Sequence, residues 1–158
     1  VSQLARVANV SVPTAGTILA SMEALFLIRP YGFTWFIEDA GLSHHLRPVS
    51  TRPSRQDRIR LVHSEFRSQI GYQRKFQASL APYQTRGGSD IPFLVQFKSG
   101  KKAAVIVEEE DVPSNKSLKS LVWAKKRFPG LELLILINAP KAFETTTGIP
   151  CLPWTWIF

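Results

Sequence analysis

Two neighbouring segments decide the fold of this chain: Gly87-Gly88-Ser89-Asp90-Ile91-Pro92-Phe93-Leu94-Val95 and Ala104-Val105-Ile106-Val107-Glu108-Glu109-Glu110. Each has a short apolar core bounded by turn residues, so they predict two adjacent strands, near 91–98 and 103–109. A basic, glycine-containing turn at 98–102 joins them. The sequence therefore predicts a carboxylate at the start of one strand and a carboxylate cluster at the end of its neighbour.

The segments around these strands predict a mixed α/β domain. Residues 56–80 predict one long helix, because apolar side chains recur there at roughly a helical period. Ser114-Asn115 predicts the cap of a second helix that runs to about Phe128. Leu131–Ile137 is almost wholly apolar, which predicts a strand buried on both faces. Residues 149–158 predict a final short strand in which Trp154 and Trp156 alternate.

The N-terminal residues predict a small helical module. Residues 2–9 predict a short helix with Ser2 as its cap, and residues 12–25 predict a second helix with proline in its first turn. Residues 26–31 and 34–37 then predict a hairpin, which completes a winged helix-turn-helix pattern. Residues 12–25 contain no Lys or Arg. Because DNA-reading helices use basic residues to fix phosphates, this module favours packing against a neighbouring domain over reading DNA.

Residues 43–56 are rich in Ser, Arg and Pro and predict the domain boundary. We therefore expect a winged helix-like domain at 1–46 and a larger α/β domain at 47–158. The chain begins at Val1 without an initiator methionine, so we expect a piece of a longer protein.

Composition narrows the class of protein. With 158 residues and 44% hydrophobic content, the chain can bury a real core. Its only cysteine, Cys151, excludes an internal disulfide and any multi-cysteine zinc site. No apolar run approaches the ~20 residues needed to span a bilayer. We therefore expect a cytoplasmic protein that makes no membrane contact.

The net charge of +8 is concentrated in the middle of the sequence. Residues 47–102 hold twelve Lys or Arg against three acids, a balance of +9, whereas residues 103–158 hold six of each sign. A polyanion such as nucleic acid is attracted to such a segment, because neutralising phosphates releases counterions. The predicted phosphate contacts lie on and before the long helix: Arg55, Arg58, Arg60, Arg67, Arg74 and Lys75.

Taken in order, these patterns resemble the C-terminal region of a large prokaryotic family of AAA+ ATPases, in which a winged helix precedes a PD-(D/E)xK restriction-endonuclease-like domain. The segments that carry the resemblance are Ser2-Gln3-Leu4-Ala5 through Leu27-Ile28, Phe36-Ile37-Glu38-Asp39-Ala40-Gly41-Leu42, His63-Ser64-Glu65-Phe66, Arg86-Gly87-Gly88-Ser89-Asp90-Ile91 and Ile149-Pro150-Cys151-Leu152-Pro153-Trp154. They span nearly the whole chain. The resemblance implies an α+β or α/β fold: an N-terminal winged helix-turn-helix followed by an endonuclease-like mixed sheet flanked by helices.

In active members of that superfamily, an acid on the first helix, an aspartate on one strand and a glutamate-x-lysine on the next hold Mg²⁺ and activate water. Carboxylates suit this ion because it prefers hard oxygen ligands. Here Glu65 matches the helix acid and Glu108 the glutamate, but Pro92 stands at the aspartate position and Glu110 at the lysine position. Proline has no metal ligand to offer, and Glu110 reverses the charge. The resemblance implies a nuclease fold more strongly than a nuclease.

Three functions stay open at this point. The leading hypothesis is a non-catalytic C-terminal module of an AAA+ ATPase-like protein, which engages nucleic acid, its own ATPase domain or a partner protein. The second is a metal-dependent nuclease in which Asp90, two residues before Pro92 on the same strand face, reaches the metal. Its candidate catalytic residues are Glu65, Asp90, Glu108 and Glu110, and the first three are its candidate Mg²⁺ ligands. The third is a pure protein-interaction domain.

Overall fold

The computed structural model describes residues 1–32, 34–39, 42, 45, 54–72, 77–85 and 89–158. The chain divides into two compact units, Val1–Ser50 and Thr51–Phe158, and each is described by itself. Most of the predicted linker at 43–56 lies outside the described residues. None of the helices in the described part of the chain is long and apolar enough to cross a membrane.

The first unit contains two helices followed by a hairpin: α1 (Ser2–Val7), α2 (Val12–Ala24), β1 (Ile28–Tyr31) and β2 (Thr34–Ile37). Ser11 caps α2 by accepting the Thr14 N–H at 3.2 Å, and the two strands pair antiparallel. The predicted cap at Ser2 is wrong, since α1 follows Val1 and has no side-chain cap bond. These are the helix pair and the hairpin on which the winged-helix prediction rests, and membership of that class stays a prediction.

Helix α2 ends in an unusual way. The Phe26 N–H donates to the Glu23 carbonyl and the Leu27 N–H to the Met22 carbonyl, both at 2.9 Å. This is the Schellman arrangement, in which glycine normally takes the left-handed residue. Here that residue is Phe26, with φ of +57° and 77% of its surface exposed. A bulky aromatic residue therefore stands in a strained backbone position and contributes little to burial.

The second unit is a six-stranded mixed sheet with two helices. Its elements are α3 (Arg55–Tyr72), β3 (Ala78–Gln84), β4 (Asp90–Phe97), β5 (Lys102–Val107), α4 (Asn115–Arg127), β6 (Leu131–Ile137), β7 (Phe143–Glu144), β8 (Pro150–Pro153) and a 3₁₀ helix, Trp154–Ile157. The strand order is β3-β4-β5-β6-β8-β7. Strands β3, β4 and β5 pair antiparallel, β5, β6 and β8 run parallel, and β7 is antiparallel to β8.

The core lies where the central strands meet the helices. Ile106, Ile135 and Ile137 are fully buried in β5 and β6, and Leu121 of α4 packs into the same cluster. On α3, Val62 is also fully buried, and Phe66 packs edge-on against Phe93 of β4 at 5.3 Å. The near-continuous apolar runs of β5 and β6 form the central, parallel pair of the sheet, as such runs do in sheets covered on both faces.

Three expected elements differ from the structure. The long helix ends at Tyr72, and Ala78–Gln84 is a strand, because it pairs with β4 and alternates in exposure along most of its length. Residues 154–157 form a 3₁₀ helix in place of the end of the final strand. The short strand β7 has no counterpart in the prediction.

Pro92 lies in β4 where the pairing with β3 shifts register between Ala81 and Tyr83. Proline is tolerated in a sheet at such an irregularity because it cannot donate to the ladder. The mixed sheet flanked by helices confirms the coarse fold class. Over residues 47–158 the helices Arg55–Tyr72 and Asn115–Arg127 and the strands β4, β5 and β6 follow the predicted order, whereas β3 is an additional strand.

Candidate functional site

Five residues lie at one edge of the six-stranded sheet, which we call the carboxyl edge: Asp90, Glu108, Glu109, Asn138 and Trp154. Because β5, β6 and β8 run parallel, their carboxyl ends share this edge, and antiparallel β4 begins there. The Asn138 N–H donates to the Glu110 carbonyl at 3.1 Å, and the Trp154 indole N–H reaches the Asn138 side-chain oxygen at 3.4 Å. The predicted carboxylates therefore do border one edge.

Arg55, the first residue of α3, bridges this edge. Its Nη1 donates to Asp90 Oδ2 at 3.2 Å, and its Nε donates to the Val107 carbonyl at 2.9 Å. Its backbone N–H donates to Glu109 Oε1 at 2.9 Å, which satisfies one of the free amides of the helix N-terminus. The other Asp90 oxygen accepts from Gln84 Nε2 at 3.0 Å. A fixed guanidinium charge thus lies between the start of β4 and the end of β5.

Arg58 reinforces the same contact one turn later. It is only 6% exposed, and its Nη1 donates to the carbonyls of Glu108 at 3.2 Å and Glu109 at 2.6 Å. Its guanidinium carbon lies 5.6 Å from the centre of the Trp154 ring, within cation–π range. Its Nε is buried and has no hydrogen-bond partner among the described residues. Burying a charged side chain costs free energy unless hydrogen-bond acceptors compensate for the lost water. The contacts of Arg58 with these carbonyls therefore hold α3 on the carboxyl edge.

Glu108 connects β5 to the start of α4. It is 8% exposed, and its Oε1 accepts from the backbone N–H of Ser114 at 3.0 Å and from the Ser114 hydroxyl at 2.8 Å. The same hydroxyl caps α4 by accepting the Ser117 N–H at 3.2 Å. Glu110 is exposed and enters the edge through its backbone carbonyl. The buried Glu108 carboxylate therefore stabilises the connection between β5 and α4.

The four candidate catalytic carboxylates are not brought together as one site. Glu65 accepts from Gln69 Nε2 at 2.7 Å and lies ten residues beyond Arg55 along α3, about 15 Å at the helical rise. Among the described residues, no group of three or more His, Cys, Asp or Glu side chains could hold a metal ion. With Asp90 held by Arg55 and Glu108 held by Ser114, these residues do not fit a Mg²⁺ site.

The basic residues predicted on α3 fall into different environments. Arg58 is buried and Arg55 is turned into the carboxyl edge, so the prediction of Arg58 as a phosphate contact is corrected. Arg60 is half-buried and Arg67 is exposed. Arg74 and Lys75 lie outside the described residues. Among its described residues, the +9 segment therefore contains both buried and exposed cations.

Helix α4 carries a basic surface that the sequence analysis missed. At 100° per residue, Lys116, Lys119, Trp123, Lys126 and Arg127 lie within about 100° of its circumference. We call these five residues the basic face. The four cations are exposed, and Trp123 is 41% exposed. Helix α4 contains no acidic residue, and no ion pair within the described residues involves these cations. The charge summed over residues 103–158 is zero and does not indicate the basic face, because the acidic residues of that segment lie outside α4.

An aromatic row adjoins the basic face. The Trp123 ring stacks on Tyr83 of β3 with centroids 5.9 Å apart, and Tyr83 meets Phe128 edge-on at 5.4 Å. Lys102 Nζ lies 6.0 Å from the centre of the Phe128 ring. Trp123 lies in α4 and Phe128 at its C-terminal end, whereas Tyr83 comes from β3, so the packing of α4 against the sheet brings Tyr83 into the row. Trp123 is thereby held in place although much of it stays exposed.

A surface depression of about 600 Å³ lies beside Lys126. It is lined by Val122, Lys125 and Lys126 of α4, by the start of β6 and by residues 147–150. Glu132 also lines it, so its charge is mixed. The depression therefore differs from the basic face, which carries one sign of charge.

Comparison of the chain with protein-family models, with curated proteins and with solved structures gives no match.

Proposed function

We propose that this chain is a non-catalytic module with a nuclease-like mixed sheet, which engages nucleic acid through a basic surface. The proposal includes three further parts. The chain lies at the C-terminus of a prokaryotic AAA+ ATPase-like protein, its first unit is a winged helix, and its location is cytoplasmic. They rest on the sequence resemblance and composition given above.

The observation that carries the proposal is the position of Arg55. In a metal-dependent nuclease the edge between two such strands holds a hydrated cation that binds a phosphate and activates water. Here a guanidinium contacts Asp90 and the Val107 carbonyl in that region. A guanidinium neutralises the carboxylate but cannot lower the pKa of a bound water as a metal does. Arg55 therefore balances the negative charge of Asp90, but it does not activate water as a nucleophile.

Nucleic-acid engagement is supported by charge. The chain carries +8, and on α4 exposed cations stand without acidic neighbours on the helix. The Debye length at physiological salt is about 8 Å, so exposed cations within that distance of one another attract a polyanion together. The position of Arg55 and the exposed cations of α4 together fit a nucleic acid that is bound but not cleaved.

Cleavage assays test the non-catalytic part. Plasmid and single-stranded DNA are incubated with the purified chain in Mg²⁺, in Mn²⁺ and in chelator, beside an Asp90→Asn variant whose fold is verified by circular dichroism. We expect no cleavage above the chelator control. Metal-dependent nicking that is lost in Asp90→Asn would overturn the proposal in favour of a working carboxylate site, and Glu108→Ala then identifies its second ligand.

A second function, protein contact through the first unit, is favoured by Phe26. This unit leaves large apolar side chains exposed, among them Val7, Leu25 and Phe26. Phe26 also occupies the left-handed position at the end of α2, where glycine costs least. A strained, exposed phenylalanine contributes little to folding, so contact with a partner protein or with the parent's ATPase domain accounts for it best.

A Phe26→Gly variant tests this. Relief of the left-handed strain predicts stabilisation of the first unit by about 1 kcal/mol, measured by urea unfolding of the chain. Leu25→Gly is the matched control: it also removes an exposed apolar side chain of the α2 terminus, but at a residue with φ of −86°, and is expected to destabilise. A loss of stability in Phe26→Gly would show that the ring serves the fold and would remove this second function.

A further inference from the structure

We propose that the basic face of α4, with Trp123 at its centre, binds single-stranded nucleic acid. This inference rests on the proposed function and assigns it to a surface and a substrate class. It moves the interaction away from α3, where Arg55 and Arg58 are engaged inside the domain.

Two of the four cations of the basic face, Lys116 and Lys119, are not explained by the folding of α4. Basic residues at a helix C-terminus interact favourably with the helix dipole, which accounts for Lys126 and Arg127. Lys116 lies in the first turn, where the dipole disfavours a positive charge. Lys116 and Lys119 are also three residues apart, so they repel each other on the helix surface. No acidic residue of α4 itself offsets this repulsion between Lys116 and Lys119, and a bound polyanion supplies negative charge on the exposed side of the helix.

The length of the face suits several phosphates. From Lys116 to Arg127 the helix rises about 16 Å, and phosphates along one strand of a duplex repeat about every 3.4 Å of axis. Four exposed cations over this distance can therefore contact more than one phosphate of a strand. Exposed lysines of this kind make sequence-independent contacts.

Trp123 selects for single strands over duplex. Proteins that bind single strands combine a basic track with aromatic rings on which unpaired bases stack. Trp123 is 41% exposed among the cations, and its stacking on Tyr83 fixes its orientation before any ligand arrives. In a duplex the base faces are covered by their neighbours, so the ring can add affinity only for an unpaired base.

The test measures binding of a fluorescein-labelled 20-nucleotide strand of mixed sequence, as DNA and as RNA, and of the matching DNA duplex. Fluorescence anisotropy is recorded across a series of salt concentrations. Lys119→Gln/Lys126→Gln is compared with Lys98→Gln/Lys141→Gln, which removes the same charge from exposed lysines in loops of the same unit. Circular dichroism verifies that both variants fold.

We expect the α4 double variant to bind single strands about tenfold more weakly and its salt slope to fall by about 1.4, at 0.7 per lost phosphate contact. The loop double variant keeps the wild-type slope. Trp123→Ala weakens single-strand binding by about tenfold or more and changes duplex binding little, whereas Trp123→Phe restores most of the affinity. Binding of the DNA and RNA strands shows which sugar the surface accepts.

The outcomes separate this inference from the proposed function. Equal weakening in the two double variants would overturn the inference alone, because net charge and not the basic face would then control binding. Duplex binding as tight as single-strand binding, with no effect of Trp123→Ala, would overturn the choice of single strands. If the wild type binds none of the three nucleic acids at low salt, the nucleic-acid part of the proposed function is wrong as well.

Discussion

Helices α3 and α4 belong to the same unit and both carry several basic residues, yet they use them in opposite ways. On α3, Arg55 and Arg58 are turned into the carboxyl edge and donate to carbonyls and a carboxylate. On α4, the lysines of the basic face stay exposed. The difference comes from what lies beneath each helix. The start of α3 meets polar strand ends, whereas the middle of α4 packs into the apolar core of the sheet through Leu121 and Ala124.

The largest expected difference is in stability. Arg58→Ala removes a buried guanidinium and leaves the carbonyls of Glu108 and Glu109 without that donor, so we expect a loss of about 3 kcal/mol in the free energy of unfolding. Lys119→Ala, on the exposed side of α4, is expected to change stability by less than about 0.5 kcal/mol. Urea unfolding of the two variants measures both. Equal losses would mean that the two helices use their cations alike.

A second prediction concerns Ser114, where α4 meets the carboxyl edge. Ser114→Ala removes both the cap of α4 and the hydroxyl bound to buried Glu108, and is expected to cost about 2 kcal/mol. Ser11→Ala removes a cap from α2 that has no buried carboxylate behind it, with an expected cost of about 1 kcal/mol. If urea unfolding gives Ser114→Ala the smaller loss, the bond to Glu108 contributes nothing.

A third, smaller effect is expected for the pair Arg55–Asp90. About a third of each side chain is exposed, so solvent screens the pair. A double-mutant cycle with Arg55→Ala and Asp90→Ala is expected to give a coupling energy of about 0.5–1 kcal/mol that decreases in 1 M salt. Coupling near zero at low salt would break the comparison, because Arg55 would then lie on the edge without stabilising it.

The smallest expected effect is on Cys151, which is buried in β8. Burial raises the pKa of its thiol from 9.0 to about 11. The folded chain therefore keeps a proton that the unfolded chain releases, and stability from this group decreases as pH rises from about 9 to about 11.

At pH 8 we expect iodoacetamide to label Cys151 in Lys119→Gln/Lys126→Gln as slowly as in the wild type, and in Arg58→Ala faster. Rapid labelling of the lysine variant would show that α4 charges support the core.

Much of the second unit could be predicted from local patterns. The apolar runs at 103–107 and 131–137 predicted their strands, and Ser114-Asn115 predicted the start of α4. The strand at 78–84 could not be found, because its apolar residues are compatible with a helix and its identity comes from pairing with β4.

The candidate site shows the same limit. The sequence placed carboxylates at the start of β4 and the end of β5, and Pro92 and Glu110 already argued against a metal-binding set. It could not show that Arg55 contacts Asp90, 35 residues away, or that Glu108 is held by Ser114. Charge counted along the chain pointed to α3, since counting ignores which side chains a helix turns inward.

The sequence by itself determined most of the helices and strands and the mixed α/β class of the second unit, because these depend on local periodicity and residue type. Tertiary structure alone decided which cations are buried, which are exposed and which aromatic rings adjoin them. Burial and pairing depend on what each helix packs against, and that is fixed by contacts between residues far apart in the chain.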